Sequence, residues 1–141
     1  VIAGADVSTV QALSDYGDSL GISFQVVDDL LDYDGQSSIT GKNIGDDFRE
    51  QKLTLPVIKA VANADSKEQA FWSRTIEKGS QEDGDLERAI SLLQKHGALE
   101  ATRLDAISWA NKAKAALAPL PDHDLKSILY DLATYVVARL K

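Results

Sequence analysis

Gln25, Asp28, Asp29 and Asp32 are the residues whose types and spacing could do chemistry. They lie in the stretch Gly21-Ile-Ser-Phe-Gln-Val-Val-Asp-Asp-Leu-Leu-Asp-Tyr33. On a helix turning ~100° per residue they fall within an arc of about 100°. The other side chains from Phe24 to Tyr33 are apolar, the reverse of an ordinary surface helix. That pattern predicts carboxylates facing a confined polar cavity in a buried bundle. Asp28 and Asp32, one turn apart, repel by ~0.2–0.5 kcal/mol even in water. In a desolvated cleft the repulsion grows unless a cation neutralises it or one carboxylate holds a proton. Carboxylates at i, i+1 and i+4 beside an amide suit a hard, oxygen-seeking ion such as Mg²⁺. Such an ion keeps several waters and bridges one or two carboxylates to a phosphate. Met in isolation, an acidic triplet is more often a solvated helix face; its apolar surround and the segment after it shift the balance. That polar segment, Gly35 to Lys52, supplies Lys42 and Lys52 beyond the acidic helix end, with Asp46 and Asp47 between them. Cations there are what a metal-held diphosphate needs on its other side.

The elements that must position these residues read as helices from end to end. Val7, Val10, Leu13, Gly17, Leu20, Phe24, Val27 and Leu31 recur at three- and four-residue steps. They predict one long helix over 7–34, with Asp6 as N-cap and Gly35 just past its end, the spine of a bundle. The glycine-rich segment 35–52 reads as an irregular loop, functional or disordered. Further helices are predicted over 55–64, with Pro56 in the first turn, and over 66–78, opened by Ser66 with Glu68 and Gln69 behind it and stopped by Gly79. Three more follow over 85–96, 98–117 and 122–140. The last places Leu125, Ile128, Leu129, Leu132, Tyr135 and Val136 on one apolar face. No two-residue alternation appears, so the class is all-α, a helical bundle in a single segment, 1–141.

Composition narrows the functions. The chain has 141 residues with 15 Lys+Arg against 22 Asp+Glu, a net charge of −7, which argues against non-specific nucleic-acid binding. The absence of Cys excludes disulfides, thiolate metal sites and Cys nucleophiles together. No apolar run approaches the roughly 20 residues of a membrane span, so no integral membrane segment is expected. The start at Val1 and the absence of Met suggest a truncated chain. Two near-miss motifs fail: an EF-hand frame on Gly35 would put Leu30 and Gly41 at ligand positions, and 35–42 has neither P-loop spacing nor a preceding strand. His96 reads as a helix C-terminal cap, His123 as solvated, and Trp72 and Trp109 as packing residues.

Gly21-x-x-Phe24-Gln25-x-x-Asp28-Asp29-x-x-Asp32-Tyr33 resembles the second aspartate-rich motif of the all-trans polyprenyl diphosphate synthases. Gly41-Lys42-x-x-Gly45-x-Asp47 and Lys52-x-Thr54-Leu55-Pro56 resemble the segment that follows it, in register over 17–58. Where the family usually has Gly before that second lysine, this chain has Gln51. The resemblance implies the C-terminal part of the isoprenoid synthase fold. It also implies condensation of isopentenyl diphosphate with an allylic prenyl diphosphate, with Mg²⁺ as cofactor, by a cytoplasmic homodimer of the long-chain, quinone side-chain type. It gives Asp28, Asp29 and Asp32 to the metal, with Asp28 as the direct ligand, and puts Gln25 on the wall beside the reacting chain. Lys42 would contact the allylic diphosphate, and Lys52 would hold the acidic patch with a smaller role toward the diphosphate. Asp28, Lys42 and Gln25 form the implied catalytic set. The family's first aspartate-rich motif is not found: Asp46-Asp47 has Glu50 where Asp is needed, and Glu82-Asp83-Gly84-Asp85 is a turn. The chain then corresponds to somewhat under half of such an enzyme and is expected to be inactive alone. Two other readings stay open, a non-catalytic partner subunit of a heteromeric synthase and a helical interaction domain.

Overall fold

Asp6 starts the first helix as its type suggests. Its Oδ1 accepts the Thr9 N–H at 2.7 Å and its carbonyl accepts the Val10 N–H at 3.0 Å, which satisfies donors that the first turn leaves open. Helix α1 then runs Val7–Asp34. The computed structural model describes residues 4–34 and 43–140; Gly35, the expected residue past the helix end, lies outside them. Next come α2 (Asp46–Arg49), α3 (Leu55–Ala62), α4 (Ser66–Trp72), α5 (Asp85–Lys95), α6 (Ala98–Ala116) and α7 (Asp124–Ala138). No strand occurs among the described residues, and the fold is all-α as the periodicity predicts.

Local chemistry moves several boundaries. The polar segment read as loop contains α2, a single turn with acidic Asp46 and Asp47 at its start and Arg49 bonded back to Asp46 at 2.9 Å. The N-cap of α4 is Asp65 rather than Ser66: Asp65 Oδ1 accepts the Glu68 N–H at 2.9 Å while Glu68 Oε2 accepts the Asp65 N–H at 3.4 Å, a reciprocal capping box. The helix expected to reach 78 widens into a π turn over Ser73–Glu77, where buried Thr75 donates its hydroxyl to the Phe71 carbonyl at 2.9 Å. His123 is not merely solvated; its Nδ1 accepts the Leu125 N–H at 3.1 Å and caps α7.

The chain divides into two compact units, Val1–Val27 with Leu104–Lys141, and Asp28–Arg103. In the first, Tyr16, Ala113, Leu117 and Ala133 form the core. Tyr16 donates to the Leu129 carbonyl at 2.7 Å and buried Ser23 to the Ala106 carbonyl at 2.8 Å. The apolar face expected of α7 is divided. Ala133 and Val136 are buried, but Leu125, Ile128, Leu132 and Tyr135 are 44–67% exposed. In the second unit, Tyr33, Phe48, Val57, Ala60, Phe71, Trp72, Ala89, Leu92, Leu93 and Ala98 are packed into one core. Its connection from α4 to α5 is pinned by a two-pronged Arg74–Asp85 pair, Nη1 to Oδ2 at 2.8 Å and Nη2 to Oδ1 at 2.9 Å. Such forks fix geometry as well as charge.

Candidate functional site

The end of α1 sets up an acidic seat in the second unit. Leu30, Leu31 and Tyr33 are buried there, and this fixes the rotation of the helix. Asp28 and Asp29 are left half-buried, and Asp32 is only 7% exposed. The enclosure predicted for the whole stripe is narrower than expected: Phe24 is 51% exposed and Gln25 is exposed, so burial is complete only at Asp32.

Two backbone amides hold Asp32. Its carbonyl accepts the Gly45 N–H at 2.8 Å, and its Oδ2 accepts the Asp47 N–H at 3.0 Å. Gly45 stands at φ 87, a left-handed conformation that a side chain strains. A Cβ there would also come within 2.5 Å of Leu86 Cδ1. Asp47 is itself buried, and its carbonyl accepts the Lys52 N–H at 2.8 Å. Lys52 Nζ lies 2.6 Å from Glu50 Oε2 and 3.7 Å from Asp47 Oδ1. The bond to Glu50, then the fields of Asp47 and Asp32, raise the Lys52 pKa, so the ammonium stays charged.

Gln51, where the resemblance expects glycine, turns the chain into Lys52 at φ 59. Its carboxamide covers Gly79, where a Cβ would meet Gln51 Oε1 at 2.5 Å. Sequence reasoning gave no role to Tyr33. Burial above all, then Asp32 and Asp47, pushes its phenol far above the ordinary range, so it remains neutral beside the carboxylates. The Thr54 side chain beside it works the other way and offsets part of that rise.

The structure therefore gathers Asp32, Asp47 and Lys52 in one seat, with Asp28 and Asp29 preceding it on α1. Gln25 belongs to the first unit, and Lys42 lies outside the described residues. Among the described residues no group of three or more His, Cys, Asp and Glu side chains is gathered closely enough to hold an ion. An oxygen-only donor set still suits Mg²⁺, which takes one or two carboxylates and completes its shell with water and phosphate. Asp28 with one neighbour would meet that need. Sequence reasoning missed the Asp47 amide as the clamp on Asp32, although Gly45 followed by two acidic residues is the start signature of the turn that supplies it.

Comparison with known proteins bears on the same residues. The Polyprenyl synthetase family model matches residues 1–93, which include the whole acidic seat. The chain is 41% identical to the octaprenyl diphosphate synthase of Escherichia coli (strain K12) over 140 residues, covering 99% of this chain and 43% of that protein. Among solved structures, a decaprenyl diphosphate synthase from Rhodobacter capsulatus superposes with a TM-score of 0.92 at 66% identity, covering 99% of this chain and 43% of that one. A polyprenyl synthase from Caulobacter crescentus CB15, complexed with calcium and isoprenyl diphosphate, superposes at 0.87 with 47% identity over 96% of this chain and 41% of that one. The chain thus spans less than half the length of these relatives.

Proposed function

This chain belongs to the polyprenyl synthetase family, and on that premise we propose that it is the part of a prenyltransferase that holds a metal-bound allylic diphosphate. The reaction is condensation with isopentenyl diphosphate. The observation that carries the reading is the buried, amide-clamped Asp32 carboxylate at the end of a stripe that also bears Asp28 and Asp29. The calcium and isoprenyl diphosphate in the Caulobacter crescentus relative support a divalent ion at such a site. The octaprenyl and decaprenyl products in the relatives' names support the long-chain branch.

Mg²⁺ bound by Asp28, with Asp29 or Asp32, would supply charge neutralisation to the leaving diphosphate. The chain's own residues do the rest. Asp32, held by the Asp47 amide, keeps the stripe rigid and needs no reorganisation when charge develops. Lys52, held charged by Glu50 and Asp47, offsets the acidic seat, and Lys42 takes the diphosphate oxygens as the allylic C–O bond breaks. The bond's electron pair leaves with the diphosphate, the alkene of isopentenyl diphosphate bonds to the allylic carbon, and a proton is lost to restore a double bond. Gln25 lines the wall beside the growing chain. With one aspartate cluster, the chain by itself performs no turnover. The working enzyme is a cytoplasmic homodimer.

Grafting residues 1–141 into the Rhodobacter capsulatus synthase in place of the matching segment tests the reading. Prenyl transfer with Mg²⁺ is expected, together with its loss on Asp28→Ala. A folded graft without activity, or one indifferent to Asp28, would overturn it.

A further inference from the structure

The clamp on Asp32 depends on α2, and α2 is too short to hold itself. Asp46–Arg49 is a single turn, and one turn fixes more backbone dihedrals than its hydrogen bonds repay. Its orientation must come from bonds to the rest of the second unit. Asp32 supplies two, to the amides of Gly45 and Asp47. A third comes from a residue 33 positions along the chain: Gln81 Nε2 donates to the Phe48 carbonyl at 2.7 Å. The same nitrogen donates to the Thr75 carbonyl at 3.0 Å, so both of its protons are used. Phe48 is buried beside Asp47 in sequence, and its carbonyl also takes the Gln51 N–H at 3.0 Å.

Gln81 is itself on a stiffened segment. Arg74 Nη1 donates to the Ser80 carbonyl at 2.9 Å, the Ser80 N–H to the Arg74 carbonyl at 2.9 Å, and the Glu82 N–H to Asp85 Oδ2 at 2.8 Å. The Gln51 carboxamide over Gly79 ties the same connection to the turn before Lys52. None of these residues bears chemistry that prenyl transfer uses. Gln81 and the Gln51 N–H bond the Phe48 carbonyl, and the other contacts brace the segment that carries Gln81.

The geometry points to Gln81 as a positioning residue for the acidic seat. It fixes the Phe48 carbonyl and, through α2, the Asp47 amide that orients Asp32. Only its last consequence, on metal affinity, rests on the prenyltransferase reading.

The test uses the full 141-residue chain and Gln81→Met, which keeps length and removes both donors. Amide hydrogen exchange at Asp47 is expected to quicken about tenfold, the loss of roughly one hydrogen bond, with Ala89 in α5 unchanged. The Kd for Mn²⁺ in the presence of methylenediphosphonate is expected to rise about tenfold, as removal of an outer hydrogen bond on a ligand does. An unchanged Asp47 amide, or equal acceleration at Asp47 and Ala89, overturns the proposal. Should the variant not fold, native-state exchange on the unaltered chain decides: the Gln81 carboxamide and the Asp47 amide must open at the same denaturant concentration. Asp47 remaining protected after Gln81 has opened overturns the proposal. If the unaltered chain binds no Mn²⁺, the exchange at Asp47 alone decides the role of Gln81, and the prenyltransferase reading stands or falls with the graft.

Discussion

Gln51 holds a left-handed backbone with a Cβ attached, at φ 59, which costs about 1–2 kcal/mol relative to the right-handed region. Glycine would remove that strain but add about 0.5–1 kcal/mol of unfolded-chain entropy and lose the carboxamide packed over Gly79. The terms nearly cancel, so Gln51→Gly should change stability by less than about 1 kcal/mol, while β-branched Gln51→Val should lower it by about 1–3 kcal/mol; urea unfolding midpoints measure both. At Asp32 the charge and the acceptor can be separated. Asp32→Asn keeps an oxygen for the Asp47 N–H, and it should unfold within about 1 kcal/mol of the parent while Mn²⁺ affinity falls about tenfold or more. Asp32→Ala strands a buried N–H and should cost about 1–3 kcal/mol as well. Calorimetry with and without metal distinguishes the two. The carboxylates of this seat were legible in the sequence because charge at helical spacing is a side-chain pattern. The clamp was not, since every residue but proline carries the amide that Asp47 uses. Gln81 was illegible for the same reason: its partners are the carbonyls of Phe48 and Thr75.

Helix ends in the second unit are joined by one carboxylate. Glu68 closes the cap of α4 and also binds Lys95 and His96 at the end of α5, with His96 Nε2 at 2.6 Å from its Oε2. An anion near a helix start and a cation such as Lys95 at a helix end each offset the local dipole. The bond from Lys95, then that from His96, holds the Glu68 carboxyl at about 2, against an ordinary 4.5. A carboxyl with a folded value below its unfolded one stabilises the fold fully above the unfolded value, and the contribution disappears as pH falls toward the folded one. Thermal unfolding should therefore lose this contribution between pH 4.5 and about 2. Glu68→Gln should lower Tm at pH 7 and flatten the decline over that window; an unchanged acid slope would contradict the assignment. The helices bounded by strong punctuation were legible: α1 behind Asp6, and α5 ahead of Gly97 at φ 62. The π turn at Ser73–Glu77 was not, because the Asp85 carboxylate that forks with its Arg74 lies outside the segment and no local pattern announces the pair.

Over the whole molecule, the 3.6-residue period made the all-α class legible, but not the division into two units. Its boundaries, Val27 to Asp28 and Arg103 to Leu104, fall inside α1 and α6, where no glycine, proline or linker marks them. The period also could not say which part of an apolar stripe is covered, and α7 shows the consequence. Leu125, Ile128, Leu132 and Tyr135 repeat at helical spacing yet stay exposed. Scattered apolar side chains on a surface are ordinary, but a contiguous stripe seeks a partner. Covering what is still exposed of four such side chains is worth roughly 3–7 kcal/mol per copy, from about 1.5–3 kcal/mol for each one fully transferred. Association costs roughly 4–15 kcal/mol in lost freedom. The balance is close, and the net charge of −7 on each copy tips it toward separation at low salt. Screening shortens from about 30 Å at 0.01 M to about 10 Å at 0.1 M ionic strength, which removes much of that repulsion while leaving the apolar term. Self-association should therefore strengthen as salt is raised, the opposite of an ion-paired interface. Sedimentation velocity on the chain should show larger species at high salt than at low. Ile128→Lys with Leu132→Glu should return it to monomer without altering amide protection in the second unit. A chain that stays monomeric at high salt would show that the α7 stripe is too small to overcome the cost of association.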